Sequence, residues 1–442
     1  MDFPLFNSIP SMKTFNIVVE GCVHGNLNRI YHEISCMNVP VDLVLLCGDF
    51  QAIRNSKDLN AMAVPPKYKQ MGDFYLYYSG QMLAPYLTVF IGGNHESSSY
   101  LRELYYGGWV APNIYYLGQA GVVNFNGLRI AGLSGIYNKM HYDYNHFERL
   151  PYNSGTERSI YHVRKHDVAS LSLIRSGVDV MLSHDWPAGI AHFGNMGDLL
   201  KKKPFFKRDI DSGQLGSPPA FQLLKTLRPT KWFSSHLHVR FVAQVPHNVK
   251  TNEDEIELDF SEVDQESTKQ GNVGENVGDS WRPFAKPLAD ATSFLALDKC
   301  LPRRKFLEHV RIDVDVPSEK RKRDENENNE TAIGKDETNE CRGLFYDAEW
   351  LAIVRVMNNH LNMGPAARTE LPKGDELCTQ VDKELQWVKQ NIVDQGRLAI
   401  PDNFKILADH YLKSTYEQPD ATPSNQTEDF CKLLQIESKI VS

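Results

Sequence analysis

No stretch of this chain approaches the ~20 consecutive apolar residues that a membrane-spanning helix requires, so a membrane protein is not expected. The segment Met1 to Thr14 holds a single basic residue, Lys13, and no continuous apolar run. It does not read as a secretory signal, and a cytosolic or nuclear address is expected. Cysteine is also sparse: seven residues, odd in number, scattered and without a CxxC pair, which fits a reducing compartment better than a disulfide framework. Cys36, Cys47, Cys300, Cys341, Cys378 and Cys431 read as packing or incidental residues. An excess of positive charge is missing too, since the formal net charge is −8. That figure is local, however. Between Asn248 and Ser280 ten acidic residues face only Lys250 and Lys269, a balance of −8 that equals the whole chain's. The remainder is neutral, and a basic groove for a polyanion is allowed there.

What is present is a layered α/β pattern. From Phe15 to about Val245, short apolar β-type runs alternate with helical or loop segments: 15–20, 42–47, 87–92, 122–133, 178–183 and 231–236. Runs this continuously apolar are the mark of strands buried on both faces. The segment 248–280, rich in Gly, Asn and Gln with few large apolar residues, reads as a disordered acidic insertion. After it, the compact run 293–307 can return a late strand to the same domain. The charged stretch 317–341 reads as a linker, and its Lys320-Arg321-Lys322-Arg323 cluster is either a solvated patch or a nuclear-import signal. Beyond it, Leu344, Trp350, Leu351, Val354, Met357 and Leu361 recur at helical spacing, as do Leu377, Val381, Leu385, Val388 and Ile392. A small helical C-terminal domain, 342–442, is expected after a catalytic domain of 14–247 and 281–316, with 1–13 as an N-terminal extension.

Polar residues of metal-binding type occur just past the strands: Cys22-Val23-His24, Gly48-Asp49, Gly93-Asn94-His95-Glu96, Ser183-His184-Asp185 and Ser235-His236-Leu237-His238. In α/β sheets the strand ends converge on one edge, so five distant loops can meet there. Oxygen and imidazole donors suit divalent Mn, Fe or Zn, and one carboxylate can bridge two ions; Asp49 is the best candidate. Each piece alone is weak. A lone histidine after a strand is more often a hydrogen-bonded core residue, and a Gly-Asp pair usually makes a turn.

Taken together, the five loops in this order, with GNHE and HxH among them, resemble the metallophosphoesterase superfamily over about residues 14 to 247. The resemblance implies an αββα sandwich with ligands on strand-end loops. It places Cys22, His24, Asp49 and His238 around one metal, and Asp49, Asn94, His184 and His236 around a second. His95 would protonate the leaving oxygen, while metal-bound hydroxide would attack phosphorus in line. Two positions depart from the superfamily pattern. Ser235 replaces a glycine, read as a small steric adjustment. Cys22 replaces an aspartate: its thiolate would turn that pocket toward Zn or Fe, whereas a non-coordinating thiol would leave it weak.

That cysteine, with GCVHGNLNRIY (21–31), LCGDFQAIRN (46–55), PPKY (65–68), IGGNHESS (91–98), YHVR (161–164), LSHDWP (182–187), LGSPPAFQLL (215–224), HLHVRF (236–241) and FLALDKCLPRR (294–304), resembles the RNA lariat debranching enzymes. The resemblance implies hydrolysis of the 2′-5′ phosphodiester at the branch of excised introns, with two divalent ions (Fe, Zn or Mn) and branched or lariat RNA as partner; the expected address is nuclear, with the cytoplasm as a further one. Splicing or intron-turnover factors bound through the C-terminal region are a further implied partner class. It also implies a lariat-recognition loop near 135–164, where Tyr137, His141, Tyr142, Tyr144, His146 and Arg149, together with Arg164, either stack on bases and meet phosphates or pack on one another. The segment LLKKKPFFKR (199–208) mixes cations with aromatics, and a solvated helix face is favoured over an RNA contact. A protein phosphatase would show GDxVDRG, whereas Phe50-Gln51-Ala52 follow Asp49. A binding module lacking a complete metal site is disfavoured, because the histidines, Asp49 and Asn94 are all retained.

Overall fold

The computed structural model describes residues 11–247, 286–316, 343–364, 366–410, 415–422 and 424–440. The acidic segment 248–280 and the 317–341 linker with Lys320–Arg323 lie outside the described residues.

Two sheets form the body. The first joins β1 (Ser11–Glu20), β2 (Leu43–Leu46), β3 (Thr88–Phe90), β4 (Gly108–Ala111), β5 (Ile114–Tyr116) and β12 (Leu307–Val316) in the order β12-β1-β2-β3-β5-β4. The second joins β6 (Ala120–Phe125), β7 (Leu128–Leu133), β8 (Val180–Ser183), β9 (Lys231–Ser234), β10 (Phe241–Pro246), β11 (Ala291–Ala296) and β13 (Leu344–Tyr346) in the order β10-β11-β9-β8-β7-β6-β13. Strands β1, β2, β3 and β5 run parallel, as do β7, β8, β9 and β11.

Successive side chains on a strand point to opposite faces, and that alternation builds three apolar layers. Ile17, Val19, Leu43 and Leu45 pack against Ile130, Val180, Leu182 and Phe233 between the sheets. Val18, Val44 and Leu46 face outward against Leu27, Ile30 and Phe74 of the helical layer on the first sheet. Met181 and Trp232 face helices on the other side, including Leu171, Leu223 and Leu224. The αββα sandwich is therefore present, and its strands read as unbroken apolar runs because both faces are buried.

The run 293–307 does return a late strand, β11, which ends at Ala296 in the second sheet; β12 then begins at Leu307 on the edge of the first. The chain departs from its sequence pattern just beyond. Leu344, expected in a helix, lies in β13, paired with β6; Asp347 then caps the helix Ala348–Met357 through Trp350 N. Leu351, Val354 and Leu385 of the C-terminal segment share one apolar cluster with Val122, Met181 and Trp232 of the second sheet. Farther along, Gln426 hydrogen-bonds both backbone groups of Trp109 in β4, and Thr427 bonds Glu103 O.

Pro246 and Ala291 are partners in the β10–β11 ladder, so the chain leaves and re-enters the domain at one point. Replacing residues 248–280 with a short Gly/Ser linker is expected to leave the melting temperature within about 2 °C and cleavage activity unchanged. Calorimetry and a turnover assay check this; an inactive or unfolded protein would show that the segment belongs to the domain.

Candidate metal centre

Strands β1, β2 and β3 of the first sheet and β8 and β9 of the second each release a loop at their C-terminal ends, and these loops carry Cys22 to His24, Asp49, Asn94 to Glu96, His184, and His236 to His238. Tight turning is needed to bring their side chains inward. His24, Asp49, His236 and His238 all adopt positive φ, between 47° and 54°, a conformation rare in non-glycine residues and concentrated at functional sites. Gly48 and Gly93 permit the approach: a Cβ on Gly48 would lie 2.3 Å from His184 Nδ1, and one on Gly93 would lie 2.3 Å from Asp49 Oδ1.

One group gathers Cys22, His24, Asp49 and His238, with a donor atom from each within 4.8 Å of the others. His24 Nε2 lies 3.4 Å from His238 Nε2 and 3.5 Å from Asp49 Oδ2. The second group meets across the same carboxylate. His184 Nε2 lies 3.3 Å from Asp49 Oδ1 and 3.2 Å from Asn94 Oδ1, and the His184 and His236 rings are 5.0 Å apart. Asp49 thus stands between two donor sets, as the bridging assignment requires. Its Oδ1 accepts from the backbone amides of Asn94 and His95, which fixes the carboxylate plane.

The electrostatics of these donor groups suit a cation. Asp49 Oδ2 is buried and has no hydrogen-bond partner, an expensive state for a carboxylate oxygen. Burial alone would raise the Asp49 pKa, but His184 and His24 outweigh it and hold it well below the usual range. Burial lowers His24 and His236, and with His24 and Lys299 it takes His238 down to about 3. Burial thus disfavours the charged form of all three rings and favours nitrogens able to donate a lone pair. At His184 burial is outweighed by Asp49 and the Cys47 carbonyl, which raise its pKa; Nδ1 lies 2.7 Å from that carbonyl, leaving Nε2 turned toward Asp49. Such outer hydrogen bonds orient metal-binding imidazoles. A buried carboxylate oxygen without a hydrogen-bond partner, among imidazoles, an amide oxygen and a thiol, fits divalent ions of borderline softness.

Three residues gain roles that their types alone do not reveal. Ser235 is more than a steric adjustment: its hydroxyl donates to Cys47 O at 2.6 Å and lies 3.0 Å from His184 Nδ1. It also interacts with Cys22, whose thiol is pushed well up by burial and Asp49, with Ser235 and the His236 amide opposing. Glu96 is buried and accepts from Phe50 N, Gln51 N and Gly93 N at 2.6, 2.7 and 2.9 Å, clamping the Asp49 loop to the Asn94 loop. Burial and Asp49 push its pKa to about 8 despite those amides. Glu20, at the end of β1, is buried with both oxygens unpartnered, and burial raises it well above the carboxylate range. A buried acid or serine in a strand-end motif was the available signal, since it must find a partner or stay neutral.

In the 135–164 loop, Tyr137, His141 and Tyr144 are partly exposed, and His141 stacks on His162 with Nδ1 atoms 2.7 Å apart. Arg164 corrects its expected role as a substrate contact. It is fully buried, and its guanidinium donates to Glu148 Oε1, Ser159 O and His141 O. A charge so enclosed shapes the loop and cannot reach a phosphate in solvent. His146 is likewise buried, 2.8 Å from Asp167.

Comparison with known proteins agrees with this geometry. Residues 15–240 match the calcineurin-like phosphoesterase family, and residues 289–439 match the lariat debranching enzyme C-terminal domain. A lariat debranching enzyme of Drosophila pseudoobscura pseudoobscura is 44% identical, covering 96% of this chain and 77% of its own length. The human enzyme is 42% identical over 95% and 69%, and that of Schizosaccharomyces pombe 38% identical over 96% of both chains. A phosphoesterase fold, a cysteine in place of one aspartate and near full-length similarity converge: this chain belongs to the lariat debranching enzyme family.

Proposed function

We propose that this chain hydrolyses the 2′-5′ phosphodiester at the branch point of lariat RNA, linearising it. The observation that supports the reading most is the buried, unpartnered Asp49 Oδ2 between two sets of nitrogen, oxygen and sulfur donors, on a chain similar throughout to lariat debranching enzymes. Cys22, His24, Asp49 and His238 would hold one divalent ion, and Asp49, Asn94, His184 and His236 a second. When bound, such ions supply Lewis acidity toward the phosphate oxygens and acidify water. The chain's own residues do the rest. Asp49, fixed by the Asn94 and His95 amides, holds the two donor sets in register. Glu96 keeps both loops from drifting apart. His95 belongs to neither donor set and donates its proton to the departing 2′-oxygen.

Protein freed of metal by chelation is expected to be inactive on a synthetic branched RNA and to regain cleavage when Mn, Fe or Zn is restored. The products are a linear RNA with a free 2′-hydroxyl at the branch nucleotide and a 5′-phosphate. Equal cleavage of linear 3′-5′ RNA would overturn the substrate assignment. Elemental analysis of anaerobically purified protein identifies the native pair.

A further inference from the structure

Although the chain carries a net −8, one face beside the metal centre is basic. Segments 198–211 and 298–305 together hold nine lysines and arginines against four aspartates. The second segment is stitched to the end of β1: Cys22 and Lys299 form a backbone bridge, Cys300 N donates to Cys22 O at 3.1 Å, and Gly21 N donates to Phe306 O at 3.0 Å. That pairing fixes Lys299 at the rim of the site. Among the described residues Lys299 enters no ion pair, while its neighbour Arg304 lies 3.3 Å from Asp298.

The first segment packs beside the site as well: Leu199, Phe206 and Ile210 share an apolar cluster with Val239 and Phe241, just past His238. Lys203 caps the C-terminal end of the helix Met196–Lys202; burial lowers its pKa, and Asp298, Arg304 and Lys299 of the second segment also act on it. Its ammonium lies 5.7 Å from the ring centroid of Phe205, which is 66% exposed. Lys202 and Arg303 are exposed alongside. A group of exposed cations beside a catalytic edge attracts a polyanion. Phe205, packed edge-to-face on Phe206 at 4.8 Å yet mostly exposed, offers a face on which an unpaired base stacks, which a peptide carboxylate would not use.

We infer that the ridge formed by residues 198–211 and 298–305 is the track for one single-stranded arm of the branched RNA, with Lys299 at its inner end and Phe205 as a stacking platform farther out. The inference rests on the branched-RNA reading, because a branch nucleotide seated at the metals must send its arms over the rim. It assigns a ligand to the 199–208 segment, where the sequence alone favours a solvated helix face. Two cations of that segment pair with its own acids, Lys201 with Asp198 and Lys207 with Asp211, whereas Lys202, Lys203 and Arg208 enter no ion pair among the described residues.

The test uses the full-length, metal-loaded protein and a fluorescein-labelled, unstructured linear RNA of 12 nucleotides, read by anisotropy across a salt series. Lys202→Gln, Lys203→Gln and Arg303→Gln together are expected to weaken binding at least tenfold and make the log–log salt slope shallower by about 2, since each phosphate contact on a single strand contributes about 0.7. Phe205→Ala alone is expected to weaken binding about fivefold or more with the slope unchanged. A distal set, Lys373→Gln, Lys383→Gln and Lys432→Gln, makes the same change in net charge and is expected to stay within twofold of wild type. Melting temperatures establish that each variant is folded. Wild-type affinity in the ridge and Phe205 variants, or equal losses in the ridge and distal sets, would overturn the assignment. Failure of the wild-type protein to cut branched RNA would instead sink the functional reading, and the ridge would still be judged by its binding of linear RNA.

Discussion

Replacing His95 with alanine is expected to lower kcat on branched RNA by about 10²–10⁴-fold, the usual contribution of a positioned general acid, with metal content at the wild-type level. His95 is not part of the donor group Cys22, His24, Asp49 and His238. Its backbone amide donates to Asp49 Oδ1, so the loop and the carboxylate stay fixed whichever side chain the residue carries. Its ring lies 5.6 Å from that of His24, and its Nδ1 is buried without a partner, a nitrogen turned toward no protein acceptor. A proton donor matters in proportion to the basicity of the leaving group. The same variant is therefore expected to lose less than tenfold on an aryl phosphodiester whose phenolate departs unprotonated. Equal losses on the two substrates, or a variant purified without metal, would show that His95 holds the site together and does not transfer a proton.

The loops that build this site were legible because chemistry and topology coincide: donor residues follow strands, and parallel strands end on one edge. The candidate donors could be named position by position. Their supports could not, because support is a matter of partners distant in sequence. Glu96 reads as the last letter of a short motif, yet its three amide donors come from Phe50, Gln51 and Gly93. Arg164 looks like a phosphate ligand until Glu148, sixteen residues earlier, encloses it. The same holds for the fold. Strands buried on both faces announce themselves as apolar runs, whereas β12 alternates at a sheet edge, and nothing local to residues 293–307 states that the chain crosses from one sheet to the other there.

How firmly the C-terminal segment belongs to the rest is tested by Arg129, a β7 residue buried to 2% exposure. Its guanidinium donates to both oxygens of Asp347 at 2.7 and 2.8 Å and to Glu349 Oε2 at 2.8 Å, and it also bonds Ser176 O at 2.6 Å. Asp347 caps the first C-terminal helix and Glu349 opens its first turn, so one cation on the second sheet sets where that helix begins. Arg129→Met keeps the volume of the stem but leaves two carboxylates buried beside each other. Breaking a buried pair from one side is destabilising by about 3–5 kcal/mol, and urea denaturation is expected to report a loss of that size. Adding Asp347→Asn and Glu349→Gln to Arg129→Met is expected to recover part of the loss, because neutral amides are less costly to bury than unpaired charges. The transition should remain single, since Leu351, Val354 and Leu385 lie in the same apolar cluster as Met181 and Trp232. A loss under about 1 kcal/mol, or an early transition confined to the C-terminal helices, would mean that they dock on the phosphoesterase sheet without being integral to it.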